Sequence, residues 1–168
     1  LRQGFFKAIS FQTTTGFFTT DYSVWPVFSQ SIIIVLMLMG GSSGSTAGAL
    51  KVFRVVVLGK YAYRELVHVF SPRAVLGIKF GERTLPEWVL TRIVGLGILY
   101  IITFVMSFLL ISAAGLDVVS AASSVASAMG TVGPALGIVG PGDSFLPLPA
   151  FAKIVLMADM LIGRLELW

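Results

Sequence analysis

Two short segments, Thr14-Thr15-Gly16 and Thr131-Val132-Gly133, have the residue types needed to hold a bare cation with main-chain oxygen. Glycine lacks a Cβ and accepts positive φ, so the backbone beside it can be extended and brought to close range. Rings of such carbonyls replace the hydration water of an alkali ion in a selectivity filter. One T-x-G triplet carries little information. Here each copy follows an apolar stretch too short to cross a bilayer and precedes a further apolar stretch, a pattern that ordinary outer turns do not need.

A third stretch, Met39 to Arg54, places Gly40, Gly41, Ser42, Ser43, Gly44, Ser45, Thr46 and Gly48 inside an otherwise apolar run. Non-helical backbone at membrane depth is tolerated only where it is buried in protein or lines a water-filled cavity. The break therefore predicts a loop on a transport path. Three other readings attach to the same residues. Gly40, Gly44 and Gly48 have the small-xxx-small spacing of a continuous, closely packed helix. G-x-S-G at Gly41 to Gly44 and G-x-S-x-G at Gly40 to Gly44 resemble the surroundings of a nucleophilic serine, Ser42 or Ser43, of an intramembrane serine protease. That chemistry needs a base within hydrogen-bond reach, and the single histidine, His68, falls in the basic loop. A phosphate-binding loop lacks support, because Lys51 does not directly follow a glycine and no strand precedes the motif.

The rest of the chain must position these segments in a membrane. Hydrophobic residues make up 56% of its 168 residues and charged residues only 12%, where soluble domains carry about 25% charge. The clearest span is Val89 to Ala114, whose apolar core from Ile93 to Ile111 reaches roughly the 20 residues needed to cross. There is no signal-peptide pattern and Leu1 is not an initiator methionine, so a fragment of a longer chain is expected. Without cysteine, disulfides, thiolate metal sites and cysteine nucleophiles are excluded. Lys51, Arg54, Lys60, Arg64, Arg73, Lys79, Arg83 and Arg92 hold most of the positive charge, which reads as a cytoplasmic loop rather than a nucleic-acid surface. The loops around Asp21 and from Asp117 to Asp143 contain no Lys or Arg and are expected outside.

The expected fold class is an all-α integral membrane protein built from repeated units of membrane helix, re-entrant helix and membrane helix. Gly4 to Gln12 and Leu116 to Met129 are the short re-entrant helices. Phe28 to Met39 and Leu50 to Tyr63 are the halves of a broken helix, and Pro149 to Trp168 begins a last inward helix. Residues 1–63 form one unit, 64–88 a polar and partly helical basic loop, and 89–168 a second unit.

TTTGF at Thr13 to Phe17, GGSSGSTAGALKVFR at Gly40 to Arg54, TVGPALG at Thr131 to Gly137 and GRLEL at Gly163 to Leu167 resemble the TrkH/KtrB/HKT superfamily of potassium and sodium transporters, specifically the bacterial TrkH/KtrB type. The marks cover nearly the whole chain in that family's order. The resemblance implies four such units around one pore, of which this chain holds the third and fourth, in the C-terminal half. It implies that Thr14, Thr15, Gly16, Thr131, Val132 and Gly133 form half of the filter, with K+ at Thr14, Thr15, Thr131 and Val132. The Gly40 to Gly48 loop becomes the gate beneath, and Arg164 a basic residue facing the cavity. Ala49 stands where the family usually has a second Gly, and Thr131 where it often has Asn. The implied protein is a potassium-uptake channel or transporter, not an enzyme, with a sodium-selective member of the same superfamily as the alternative. It is a homodimer in the bacterial inner membrane, multi-pass, docked on a cytosolic nucleotide-binding regulatory ring through the loop from Lys60 to Arg83, and it binds no nucleic acid.

Charge on the last helix also singles out Arg164. Eleven positions place Lys153 and Arg164 on one face, while Asp159 and Glu166 share the roughly opposite one. An ionisable residue within a span must face protein or water. Lys153 is expected to snorkel to the outer interface. Arg164 is expected to restrain flow, with an ion pair between helices as the alternative. Lys51 and Arg54, just past the loop, are expected to draw it toward cytoplasmic carboxylates.

Overall fold

The computed structural model describes residues 2–71, 77–80, 83–140, 142 and 144–165. Leu1, Arg73, Asp143, Glu166, Leu167 and Trp168, used above, lie outside them. Six helices dominate: α1 (Arg2–Gln12), α2 (Val27–Leu38), α3 (Val52–Phe70), α4 (Glu87–Ala113), α5 (Val118–Gly130) and α6 (Ala150–Leu165). Two minimal pairs of two-residue strands are the only sheet among the described residues, and the architecture is all-α as expected. β1 (Met39–Gly40) runs parallel to β2 (Leu50–Lys51), and β3 (Lys79–Phe80) antiparallel to β4 (Arg83–Thr84).

Only α4 is long and apolar enough to cross a membrane, among the described residues; its 27 residues extend about 40 Å. Apolar α2 and α5, of 12 and 13 residues, extend only about 18–20 Å. α3 continues past Tyr63 to Phe70, so the stretch from residue 64, expected to be polar and partly helical, starts as helix. Lys60, Arg64 and Glu65 make that stretch polar, but polarity does not end a helix that has left the apolar layer. Arg64 Nη1 donates to Glu87 Oε1 at 2.7 Å and ties α3 to the start of α4.

α5 is the central post. From Ser120 to Gly130 it is buried almost without interruption, with α2, α4 and α6 packed around it. Small side chains make this geometry available, because Ala and Ser let neighbouring backbones approach. Ile111, Val125, Met129, Leu148, Ala152 and Leu156 build one apolar cluster around α5; Phe11, Ile33, Met37, Val132 and Leu136 build another between α1, α2 and the chain after α5.

The serines of α5 carry the polar half of this packing. Ser123 Oγ accepts from the Leu136 amide at 3.0 Å, Ser120 Oγ from the Ile138 amide at 3.0 Å, and Ser127 Oγ from the Gly133 amide at 3.1 Å. The irregular return from 133 to 138, which ends in the single 3-10 turn Gly137–Val139, is thus held along the helix it follows. A buried amide without a partner costs several kcal/mol in an apolar layer, roughly, so these hydroxyls let an irregular segment lie there.

Candidate ion-conducting site

α1 and α5 end in the same way. Thr14 and Thr131 donate to carbonyls three residues back, Phe11 and Ala128, at 3.1 and 3.0 Å; Thr15 and Val132 donate to carbonyls five back, Ser10 and Ser127, at 2.9 and 3.0 Å. This paired pattern is the Schellman helix stop, which needs a left-handed residue, usually Gly, just beyond the helix. Here threonine fills that position twice, with φ +53° at Thr14 and +52° at Thr131. A β-branched residue rarely adopts such backbone, and the cost is about 1–2 kcal/mol each.

Two residues on, Gly16 and Gly133 are again positive, at φ +74° and +108°. The middle residues, Thr15 and Val132, keep negative φ. The two triplets therefore match residue for residue in backbone sign as well as in sequence. The sign of φ thus alternates along each triplet, which a regular strand does not do. Among the described residues, no hydrogen bond is made to the carbonyls of Thr14, Thr15, Thr131 or Val132.

The triplets also touch. Gly16 is buried against the Val132 carbonyl and the Pro134 ring, so close that a Cβ on Gly16 would overlap that carbonyl. Sequence reasoning assigned positive φ to the glycines, as observed, and missed the two threonines. It also missed Tyr22, whose buried hydroxyl donates to the Ala135 carbonyl at 2.8 Å and joins the connections that follow the two triplets.

The Gly/Ser stretch is a loop and not a continuous helix. α2 stops at Leu38, the short parallel pair holds the loop's two ends together, and α3 starts at Val52. Ser42, Ser43, Gly44 and Thr46 form the exposed tip, while Ala47, Gly48 and Ala49 are buried. A Cβ on Gly48 would sit 2.6 Å from Thr131 Oγ1 and 2.7 Å from the Gly130 carbonyl, so the loop lies directly against the second triplet. Gln12 Nε2 at the end of α1 donates to the Gly40 carbonyl at 3.0 Å. Both triplet-bearing helices therefore contact the loop.

Ala49, at φ +63°, occupies the left-handed region that a Gly there adopts without strain. Lys51 Nζ donates to the Ser45 carbonyl at 2.9 Å, so this cation ties the middle of the loop to its exit. His68 lies sixteen residues beyond Val52 on α3, about 24 Å along the axis, which leaves the serine-nucleophile reading without its histidine base.

On α6, Asp159 is buried and accepts from Ser107 Oγ of α4 at 2.7 Å, while Arg164 is exposed near the C-terminal end. Lys153 Nζ donates to the Leu146 carbonyl at 2.9 Å, at the end of α6 expected to lie outside. Gly163 packs on the Met129 carbonyl with no room for a Cβ, which seats α6 on the end of α5.

Comparison with known proteins places this arrangement. The family model TrkH, described as a cation transport protein, matches residues 1–168. The Trk system potassium uptake protein TrkH of Salmonella typhimurium is 41% identical over 168 residues, covering 100% of this chain and 34% of that protein. The corresponding protein of Halomonas elongata is 35% identical over the same length. The crystal structure of the potassium transporter TrkH from Vibrio parahaemolyticus superposes with a TM-score of 0.85 at 39% identity, covering 99% of this chain and 35% of that one. The chain thus spans about a third of the length of the relatives it matches.

Proposed function

The chain belongs to the TrkH family of cation transport proteins, and from that premise we propose that it supplies two quarters of a potassium filter and the gate beneath them. It is an all-α membrane protein of a transporter family, not an enzyme. The proposed cargo is K+, which the relatives' names support. In this reading the ion loses water at the carbonyls of Thr14, Thr15, Thr131 and Val132. The contact of Gly16 with the Val132 carbonyl sets their spacing. That contact between two equivalent triplets is the observation that carries the proposal.

Gly40 to Gly48 then serves as a plug. It rests on Thr131 and Gly130 through Gly48 and on α1 through Gln12, so an ion leaving the filter meets it first. Arg164, exposed on α6 beyond Gly163, raises the electrostatic cost of crossing the cavity and restrains flow while the loop is closed. Residues 1–63 and 89–168 act as the two pore units and 64–88 as the basic connection between them. The complete protein is proposed to sit in the bacterial inner membrane as a multi-pass homodimer, with a cytosolic nucleotide-binding ring on the side of Lys60 and Lys79.

The test is potassium uptake by the full-length protein in cells lacking other uptake routes. Gly16→Ser, which overlaps the Val132 carbonyl and strains φ +74°, is expected to reduce uptake at least about tenfold or to admit Na+ in place of K+. Gly59→Ala is the control: it sits within α3 with open space around it, away from both triplets, and is expected to keep uptake. Full, K+-selective uptake by Gly16→Ser removes the filter assignment.

A further inference from the structure

Lys7 lies in the middle of α1 and is 1% exposed. Its Nζ donates to the Thr20 carbonyl and stands 4.1 Å over the Tyr22 ring, 5.4 Å from that of Phe18 and 6.0 Å from that of Trp25. All four partners belong to the connection between the first triplet and α2. Among the described residues, no carboxylate makes an ion pair with this ammonium. A snorkelling lysine would leave its charge in water. This one is buried and compensated by one carbonyl, three ring faces and the charge of Asp21 on the same connection, an expensive arrangement for packing alone, since an apolar side chain of similar volume fills such space without that cost.

What the cage connects gives it a use. Tyr22, the nearest ring, is 0% exposed and packs edge-on against Phe11, at 5.4 Å and 84°. Its hydroxyl donates to Ala135, two residues after Gly133. One side runs from Lys7 through α1 to Thr14; the other runs through Tyr22 and Ala135 to Gly133. We infer that Lys7 is a positioning residue for the ion path, its caged ammonium fixing the outer backbone of both T-x-G triplets in register and so setting the affinity for a dehydrated monovalent cation. The inference rests on the reading of those triplets as the ion site.

The test separates affinity from capacity in the full-length protein, by uptake against external K+ concentration. Lys7→Met, close in size and uncharged, is expected to raise the half-saturating concentration on the order of tenfold while changing the maximal rate about twofold or less, the scale of losing a desolvated cation–π contact. Lys7→Arg keeps the cation and is expected to restore half-saturation to within about threefold. Loss of maximal rate with half-saturation unchanged in Lys7→Met, or an Arg variant as impaired as the Met variant, overturns the assignment. If Lys7→Met does not reach the membrane, Tyr22→Phe decides, because it keeps the ring beneath Lys7 and deletes only the bond to Ala135; an unchanged half-saturation there overturns the assignment too. An unsubstituted protein that carries no K+ overturns the ion-site reading itself, whereas an active parent with unaltered variants overturns the role of Lys7 alone.

Discussion

The Ala49 amide donates to the Met129 carbonyl at 3.3 Å, joining the Gly/Ser loop to the last turn of α5, two residues before Thr131. Gly163 of α6 packs on the same carbonyl. One oxygen thus lies between the loop, the helix that presents the second triplet, and the helix that bears Arg164. Movement of the loop away from α5 breaks the first of these contacts.

Gly48 is the place to force that movement. A methyl group at Gly48 would meet the Gly130 carbonyl at 2.7 Å, and backbone cannot swing aside as a side-chain end can. Gly48→Ala is expected to hold the loop off the triplet and raise K+ flux through the resting protein several-fold, read as a higher open probability in single-channel recordings. Ala49→Gly is expected to act in the other direction. It removes left-handed strain of about 1 kcal/mol, partly offset by the freedom glycine gains when unfolded, and so lowers the resting open probability.

Lys51 bears on the proposed gating equilibrium through a different contact. Its bond to the Ser45 carbonyl is charge-assisted and closes the loop on itself. Lys51→Met is expected to weaken the closed loop by about 1–2 kcal/mol, an increase of roughly five- to thirtyfold in the ratio of open to closed states. Lys51→Arg, which keeps a cationic donor, is expected to recover most of the loss. Recordings in which both substitutions leave open probability unchanged exclude this bond as a determinant.

How much of this was legible in the residues depends on the range of the interaction. The broken helix and the paired triplets could be read because helix length and glycine act locally. Thr14 and Thr131 were invisible as left-handed positions, since a β-branched residue argues against that backbone and only the surrounding helix stop imposes it. Nothing beside Lys7 on its own helix marks a role for it. Its role depends on Tyr22, and Tyr22's on Ala135, 113 residues away. The end of α3 was legible only as a partly helical region, because the apolar run ends near Tyr63 and the helix needs no apolar face beyond the membrane.

Asp159 and Ser107 provide a stability test apart from conduction. Asp159 Oδ1 accepts from Ser107, and Oδ2 is buried with no hydrogen-bond partner among the described residues. Ser107→Ala is expected to leave the whole carboxyl group unsatisfied and destabilise the protein by about 1–3 kcal/mol. Asp159→Leu removes the polar group outright and is expected to cost less than Ser107→Ala, because partnerless polarity costs more than its absence. Thermal unfolding of the purified full-length variants in one detergent gives the order, and the reverse order refutes the argument.

Asp117 yields a prediction for pH. It caps α5 by accepting from the Ser120 amide at 3.2 Å, and hydrogen bonding to Ser120 holds its carboxyl below the ordinary value of 3.8. A carboxyl whose pKa is depressed by folding contributes stability that is fully present above the unfolded value and disappears as pH falls through the folded one. The contribution is therefore constant near neutrality and declines only below about pH 4. Asp117→Ala is expected to cost about 1 kcal/mol at pH 7, the usual worth of a cap, and to flatten the acid limb. Asp117→Asn keeps an acceptor that does not titrate, so it is expected to retain the cap at pH 7 while also flattening that limb. Thermal unfolding between pH 3 and 7 separates the two variants, and an Asn variant as unstable as the Ala variant at neutral pH shows that charge at the helix start, rather than the bond to Ser120, does the capping.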